Sequence, residues 1–170
     1  MGPTMVLADF LSGFKFEDIP PKTLTQDKAA FLDSLGCGLF GSTLEWSQKV
    51  NALVKEMGGK GEATLWANQF RGPAANVALG LGTMIHSFDF DDYHNAKLHP
   101  GAVVVPAALT MAEREGSSGR EFLTAIVAGY ETMIRISLAT GPGPSRQKGW
   151  HLTGTCGTFG AAAAAGKIGE

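Results

Sequence analysis

The feature that most restricts the fold is the filling of two apolar helical stretches with small residues. In residues 74–85, Ala75, Ala78, Gly80 and Gly82 alternate with Val77, Leu79, Leu81 and Ile85. Residues 153–166 are almost all Ala, Gly and Thr. A helix that is apolar on nearly every side must be covered by other elements. Side chains this small let neighbouring backbones approach closely. The 23 glycines, about twice ordinary usage, therefore indicate tight helix packing and sharp turns in an apolar setting. The expected fold class is all-α, a multi-helix domain.

The remaining elements follow from periodicity and punctuation. A short amphipathic helix is expected around residues 6–10, and Pro20-Pro21 keeps residues 14–21 in a turn. Thr23 or Thr25 then caps a helix with Ala29, Leu32, Leu35 and Leu39 inward and Phe31 widening the stripe. Gly36, Gly38 and Gly41 point to a close helix contact near its end. Ser42 or Thr43 starts a third helix, with Trp46, Val50, Leu53, Val54 and Met57 on one face and Gly58-Gly59 ending it. Residues 62–66 form the one expected strand. Pro73 takes the first position of the next helix. A further helix covers residues 108–115, with Pro106 in its first turn and Gly116 as its stop. Ser118 and Glu121 make a capping box. That box opens a helix over residues 121–138, with Phe122, Ile126, Val127, Tyr130, Met133, Ile134 and Leu138 inward. Residues 141–144 are expected as a loop.

Composition removes several classes of function. The net charge of −2 gives no reason to expect nucleic acid or an anionic membrane. No apolar run reaches the ~18–20 residues of a membrane span, and residues 1–16 lack a secretory signal. Cys37 and Cys156 lack a C-x-x-C spacing and read as reduced, buried, structural residues of a cytoplasmic protein. A length of 170 residues fits one domain or a piece of a larger one.

Chemistry concentrates in residues 86–106. Asp89, Asp91, Asp92, His86, His94, His99, Tyr93 and Lys97 lie close together there, although only 18% of the chain is charged. Such a cluster between core-like segments reads as a polar site in an apolar frame. His99 precedes Pro-Gly at one helix entrance, and His151 precedes Thr153-Gly154-Thr155 at another. Two histidines at neighbouring helix N-termini would share a pocket, held neutral and base-competent. Lys97, Arg146 and Lys148 are candidate carboxylate binders. Tyr93 is a candidate proton donor. Asp89, Asp91, Asp92, His94 and His99 are also possible metal ligands, but their spacing matches neither an EF-hand nor a zinc motif. Neither a P-loop, a G-x-G-x-x-G nor a G-x-S-x-G motif occurs. Cys156 reads as a small buried residue rather than a nucleophile.

One series of motifs resembles the MmgE/PrpD family. It comprises Ile19-Pro-Pro21, Asp33-Ser-Leu-Gly-Cys37, Asp89-Phe-Asp-Asp92 and His99-Pro-Gly-Ala102. It continues with residues 112–122, Gly129-Tyr-Glu131, Gly149-Trp-His-Leu-Thr-Gly-Thr155 and the alanine run at 161–165. The family includes 2-methylcitrate dehydratase, cis-aconitate decarboxylase and iminodisuccinate epimerase. The resemblance implies a helical first domain with its active site at the junction with an α+β lid domain, which these 170 residues lack. It also implies a homodimer, or a complementing second chain, and no metal or organic cofactor. By carry-over, His99 and His151 are the acid–base pair and Asp89 orients them or meets substrate. Asp92, Tyr93, His94, Lys97 and Arg146 are the substrate-binding candidates. The implied function is a cofactor-free lyase of the dehydratase type acting on a small di- or tricarboxylate such as 2-methylcitrate. Tyr93 stands where decarboxylase-like members have Thr, which disfavours cis-aconitate decarboxylation. The alternatives are an epimerase of an iminodicarboxylate, a non-catalytic helical subunit that docks a partner, or a metal-dependent hydrolase.

Overall fold

The computed structural model describes residues 2–67 and 69–169. Among them are eight α-helices: α1 (Pro3–Gly13), α2 (Pro21–Gly41), α3 (Glu45–Met57), α4 (Ala74–Ile85), α5 (Gly101–Glu115), α6 (Gly119–Ala139), α7 (Pro142–Gln147) and α8 (Leu152–Ile168). A 3₁₀ turn (Phe16–Asp18) precedes α2, and an antiparallel pair, β1 (Ala63–Leu65) with β2 (Phe70–Gly72), precedes α4. The all-α expectation holds. The strand expected at 62–66 is β1, and it pairs with a second short strand that the pattern did not signal.

Helix α5 is the centre of the fold. One apolar cluster joins Val104, Val105 and Ala108 to Ile126 and Met133 of α6, Ala164 of α8 and the loop residues Ala96 and Leu98. A second joins Val54, Leu65, Val77, Leu81 and Met84 of α3, β1 and α4, and Trp66 and Leu109 pack against both. The small-residue stretches allow this packing. A Cβ on Gly160 of α8 would lie 2.8 Å from the Met133 Cβ and 3.1 Å from the Gly129 carbonyl oxygen of α6. Pro106 sits inside α5, one turn further in than expected, and has no N–H for the Ala102 carbonyl. That carbonyl faces Gly82, where a Cβ would be 2.9 Å away.

Small residues also overturn the expected face of α2 and rotate that of α3, which keeps Val50 and Val54 against the second cluster. Helix α2 buries Asp27, Ser34, Gly38 and Gly41. It leaves Leu32 (67%), Leu39 (46%) and Phe40 (59%) exposed. Gly38 lies under the Trp66 ring and Gly41 against the Met84 carbonyl, so only glycine fits at these crossings. Helix α3 buries Ser47, Asn51 and Val54 and exposes Trp46, Leu53 and Met57. Leu79 of α4 and Leu138 of α6 are also exposed. A search for bulky apolar periodicity weighs hydrophobicity, whereas close crossings select for size.

Several boundaries move as well. Helix α2 begins at Pro21, and Thr25 Oγ1 instead donates to the Pro21 carbonyl. Ser42 and Thr43 donate to the Leu39 and Phe40 carbonyls at the end of α2, and α3 starts after Leu44. Pro73 is the residue before α4 rather than its first. The 141–144 loop is the start of α7. The Ser118–Glu121 box is present, with Glu121 N–H to Ser118 Oγ at 3.3 Å and Ser118 N–H to Glu121 Oε2 at 2.6 Å. By length and composition alone α6 is apolar enough to cross a membrane, contrary to the reading of the runs. It carries an exposed Arg135–Glu131 pair and packs on α5 and α8, as a core helix does.

Asp27 gives the fold a pH dependence. Burial raises its carboxyl to about 7. Between about pH 4 and 7 the folded chain keeps a proton on Asp27 that the unfolded chain has lost, so the Asp27 contribution to stability falls as pH rises through this window and is constant above it. Three pH units correspond to at most about 4 kcal/mol. Asp27→Asn cannot ionise, so its Tm should exceed wild type at pH 8 and converge on it near pH 4. Parallel wild-type and mutant Tm–pH curves would refute this.

Candidate active site

The polar segment joins the C-terminal end of α4 to the N-terminal end of α5. It turns sharply at Asp89 and Lys97, both left-handed, with φ of 54° and 64°. A bridge between His94 and Leu98 closes a small loop. Its apolar members, Ala96 and Leu98, are fully buried, and Ser137 Oγ of α6 donates to the Ala96 carbonyl at 2.7 Å. The loop is thereby pinned to the core while its charged residues stay outside.

The three aspartates divide. Asp89 is exposed, and its Oδ1 lies 3.4 Å from Nε2 of both His86 and His99. Asp91 is buried behind those rings, with Oδ1 2.8 Å from His86 Nδ1 and 3.5 Å from His99 Nδ1. Asp92 turns away toward α5. It accepts from the Gly101 amide at 2.8 Å and from the Tyr130 hydroxyl at 2.8 Å, binding the first N–H of α5. Burial raises the Asp92 carboxyl despite those two hydrogen bonds. It also drives the Tyr130 hydroxyl far above its ordinary value, with the Asp92 charge adding to the effect. Asp92, expected from sequence to bind substrate, is thus placed as a support for α5.

The histidines converge. The His86 and His99 ring centres are 5.0 Å apart, and those of His86 and His151 are 6.2 Å apart. His99 Nδ1 lies 3.1 Å from the Asp91 carbonyl oxygen, which can only accept, so this nitrogen carries the hydrogen. His99 N–H donates to Thr153 Oγ1 at 3.0 Å, joining α5's entrance to α8. His151 caps α8, its Nδ1 accepting from Gly154 N–H at 3.2 Å. The neutral His151 ring therefore carries its hydrogen on Nε2. It points a donor outward, which corrects the expectation of a base at this position. The Asp91 hydrogen bond raises the His86 pKa against the opposing effect of burial, and the charges of Asp91, Asp89 and Asp92 add to the rise.

A cleft of about 230 Å³ is lined by Asp89, Lys97, His99, Arg146, Gly149, Trp150, His151, Leu152 and Thr153. It brings together Asp89, His99, His151, Lys97 and Arg146, five of the residues singled out from sequence. Tyr93 lies at its edge, half exposed, with its ring 5.5 Å from that of His99 and beneath Lys97. His94 does not line it. Its Nδ1 accepts from Ala96 N–H and shapes the loop. Lys148 is exposed outside the lining. Trp150 and Thr153 line the cleft without having been singled out, and His86 and Asp91 stand behind it.

His86, Asp91 and His99 also bring one donor atom each within 4.8 Å of one another, a different set from the metal ligands considered from sequence. Here those atoms are engaged with each other, and 2.8 Å between His86 Nδ1 and Asp91 Oδ1 is a hydrogen bond. Cys156 is buried with its thiol pKa raised by burial, as a structural residue should be, while Cys37 is only half buried.

Residues 5–170 match the MmgE/PrpD N-terminal domain. Aligned over 97% of its length, the chain is 33% identical to the cis-aconitate decarboxylase-like protein oryM of Aspergillus oryzae, covering 36% of that protein. It is 30% identical to the cis-aconitate decarboxylase of Mus musculus over 97% of this chain and 35% of the relative. The enzyme of the same name from Aspergillus terreus is 29% identical over 98% and 35%. The chain thus spans about a third of the length of these relatives. With a family match running through α1 to α8 and across the histidine cleft, this chain belongs to the MmgE/PrpD enzyme family.

Proposed function

We propose that this chain forms the helical part of a lyase that acts on a small di- or tricarboxylate by moving a proton at a carbon next to a carboxylate. The observation that carries the reading is the orientation of His99, whose Nδ1–H is held by the Asp91 carbonyl while Nε2 looks past Asp89 toward the cleft. A neutral imidazole so held is a base. Lys97 and Arg146 supply cations for substrate carboxylates, and His151 Nε2–H can donate to the oxygen on which negative charge develops.

Two reactions use this set. In dehydration, His99 Nε2 removes the proton, the C–O bond breaks and hydroxide leaves as water with a returned proton. In decarboxylation, His99 first takes up a solvent proton at Nε2; the C–CO2 bond then breaks and the carbanion takes that proton, returning the ring to its neutral form. The Tyr93 ring beside His99 favours the first, because its hydroxyl offers a second proton donor near the leaving oxygen. The names of the relatives favour the second. Incubating the intact protein in D2O with 2-methylcitrate, citrate and cis-aconitate, followed by NMR, decides between them. Loss of the hydroxyl carbon signal means dehydration. CO2 release with one deuterium incorporated means decarboxylation. Turnover of none of these acids, and no exchange of any α-hydrogen, would sink the reading.

A further inference from the structure

We propose that Asp91 is the positioning residue of this site: it engages the Nδ1 side of both rings, its carboxylate favouring the cationic form of His86 and its main-chain carbonyl setting the hydrogen of His99 on Nδ1, so that Nε2 of His99 faces Asp89 and the cleft. This rests on the proton-transfer reading of the cleft and adds the division of labour among its histidines.

Both rings lie between two carboxylates, Asp91 behind and Asp89 in front. The Asp91 side chain is wholly buried, and its Oδ2 finds no hydrogen-bond partner among the described residues. A carboxylate in that position is costly unless a counter-charge accompanies it. His86 Nδ1, 2.8 Å from Oδ1, is the group in place to provide one. The charged groups that act on His86 are Asp91, Asp89 and Asp92, all anions, and His99 and His151 are the rings nearest it. Its environment therefore favours the cation. His99 differs, because the nearest atom to its Nδ1 is the Asp91 main-chain oxygen at 3.1 Å, with the carboxylate oxygen at 3.5 Å. A second imidazolium 5.0 Å from the first is opposed by repulsion. Asp91 thus favours charge on one ring through its carboxylate and sets the tautomer of the other through its main-chain carbonyl, in the manner of partners that orient catalytic or metal-bound histidines.

The chain has four histidines, so their ring nitrogens can be assigned in the 15N-histidine-labelled intact protein by removing one at a time. Across a pH series, long-range 1H–15N spectra should show His86 keeping both nitrogens protonated to higher pH than an ordinary imidazole, and the neutral His99 ring with its hydrogen on Nδ1. His86→Gln supplies the assignment. Should it fail to fold, His94→Asn and His151→Asn identify the remaining pair by elimination. In Asp91→Asn the His86 titration should move to lower pH. His86→Gln should lower kcat about tenfold or more with KM within about threefold, because a positioning and charge role acts on the reacting state. A His86 that loses its proton no later than an ordinary imidazole, or a neutral His99 with its hydrogen on Nε2, overturns the proposal. If those ring states are found but His99→Gln costs no activity, the proton-transfer reading fails instead.

Discussion

His99→Gln in the intact enzyme should lower kcat/KM by about 10²–10⁴-fold, the usual contribution of a positioned acid–base group. Glutamine is near histidine in size and can still donate to the Asp91 carbonyl, so the loop should keep its path. It cannot take up a proton. Fold and activity therefore separate: Tm should change little while turnover collapses. His151→Asn makes the comparison sharper. Asparagine is a strong N-cap, so α8 should keep its start, now capped by the amide oxygen in place of His151 Nδ1. What is lost is the Nε2–H donor, and the expected cost is about 10²–10³-fold in kcat. Measured kcat/KM within about twofold of wild type for His99→Gln would remove His99 from the chemistry.

A large structural effect should come from Gly101→Ala. A Cβ there would lie 2.5 Å from both Asp92 Oδ1 and Ser34 Oγ and 3.1 Å from Tyr130 Oη. Asp92 cannot retreat without giving up the Gly101 amide or the Tyr130 hydroxyl. The helix must therefore shift, or a buried polar group must lose its partner. Either costs about 2–4 kcal/mol, which for a chain of this size is a fall of roughly 5–15 °C in Tm. His99 is two residues away, so activity at temperatures well below Tm should fall as well. Gly36→Ala is the control. No atom lies within 4 Å of its would-be Cβ, so the change should be neutral or stabilising by up to ~1 kcal/mol. Similar losses for both variants would show that helix position, not the polar knot at Gly101, governs the response.

Most of the long helices were legible in the sequence because their signals are local, whereas α7 was expected as a loop. Ser118 and Glu121 lie three residues apart and cap α6 without help from the rest of the chain. The small residues of α4 and α8 announced close packing, and the polar segment between α4 and α5 announced a site. His99 and His151 stood out as candidates for the same reason, each standing at a helix entrance. Their meeting in one cleft depended on α5 and α8 being neighbours, and the Thr153 hydroxyl on the His99 amide shows that they are.

What only the tertiary structure decided concerns size and direction. Leu32, Leu39, Trp46 and Met57 make periodic apolar stripes, yet α2 and α3 turn other faces inward, because glycine and serine fit crossings that leucine cannot. Asp89, Asp91 and Asp92 are nearly adjacent in the chain and of one chemical type, so their sequence cannot say where each carboxylate points. The left-handed turn at Asp89 and the pull of α5's first amide separate them. One faces the cleft, one stands behind the histidines and one holds a helix. The tautomers followed the same rule. The composition of this chain determined that it would be helical with a histidine–aspartate site, since periodicity, caps and charge density are carried by residues close in sequence. Which ring nitrogen meets the cleft was decided by a carbonyl at Asp91 and an amide at Gly154, groups that every residue possesses and that only the folded chain aims.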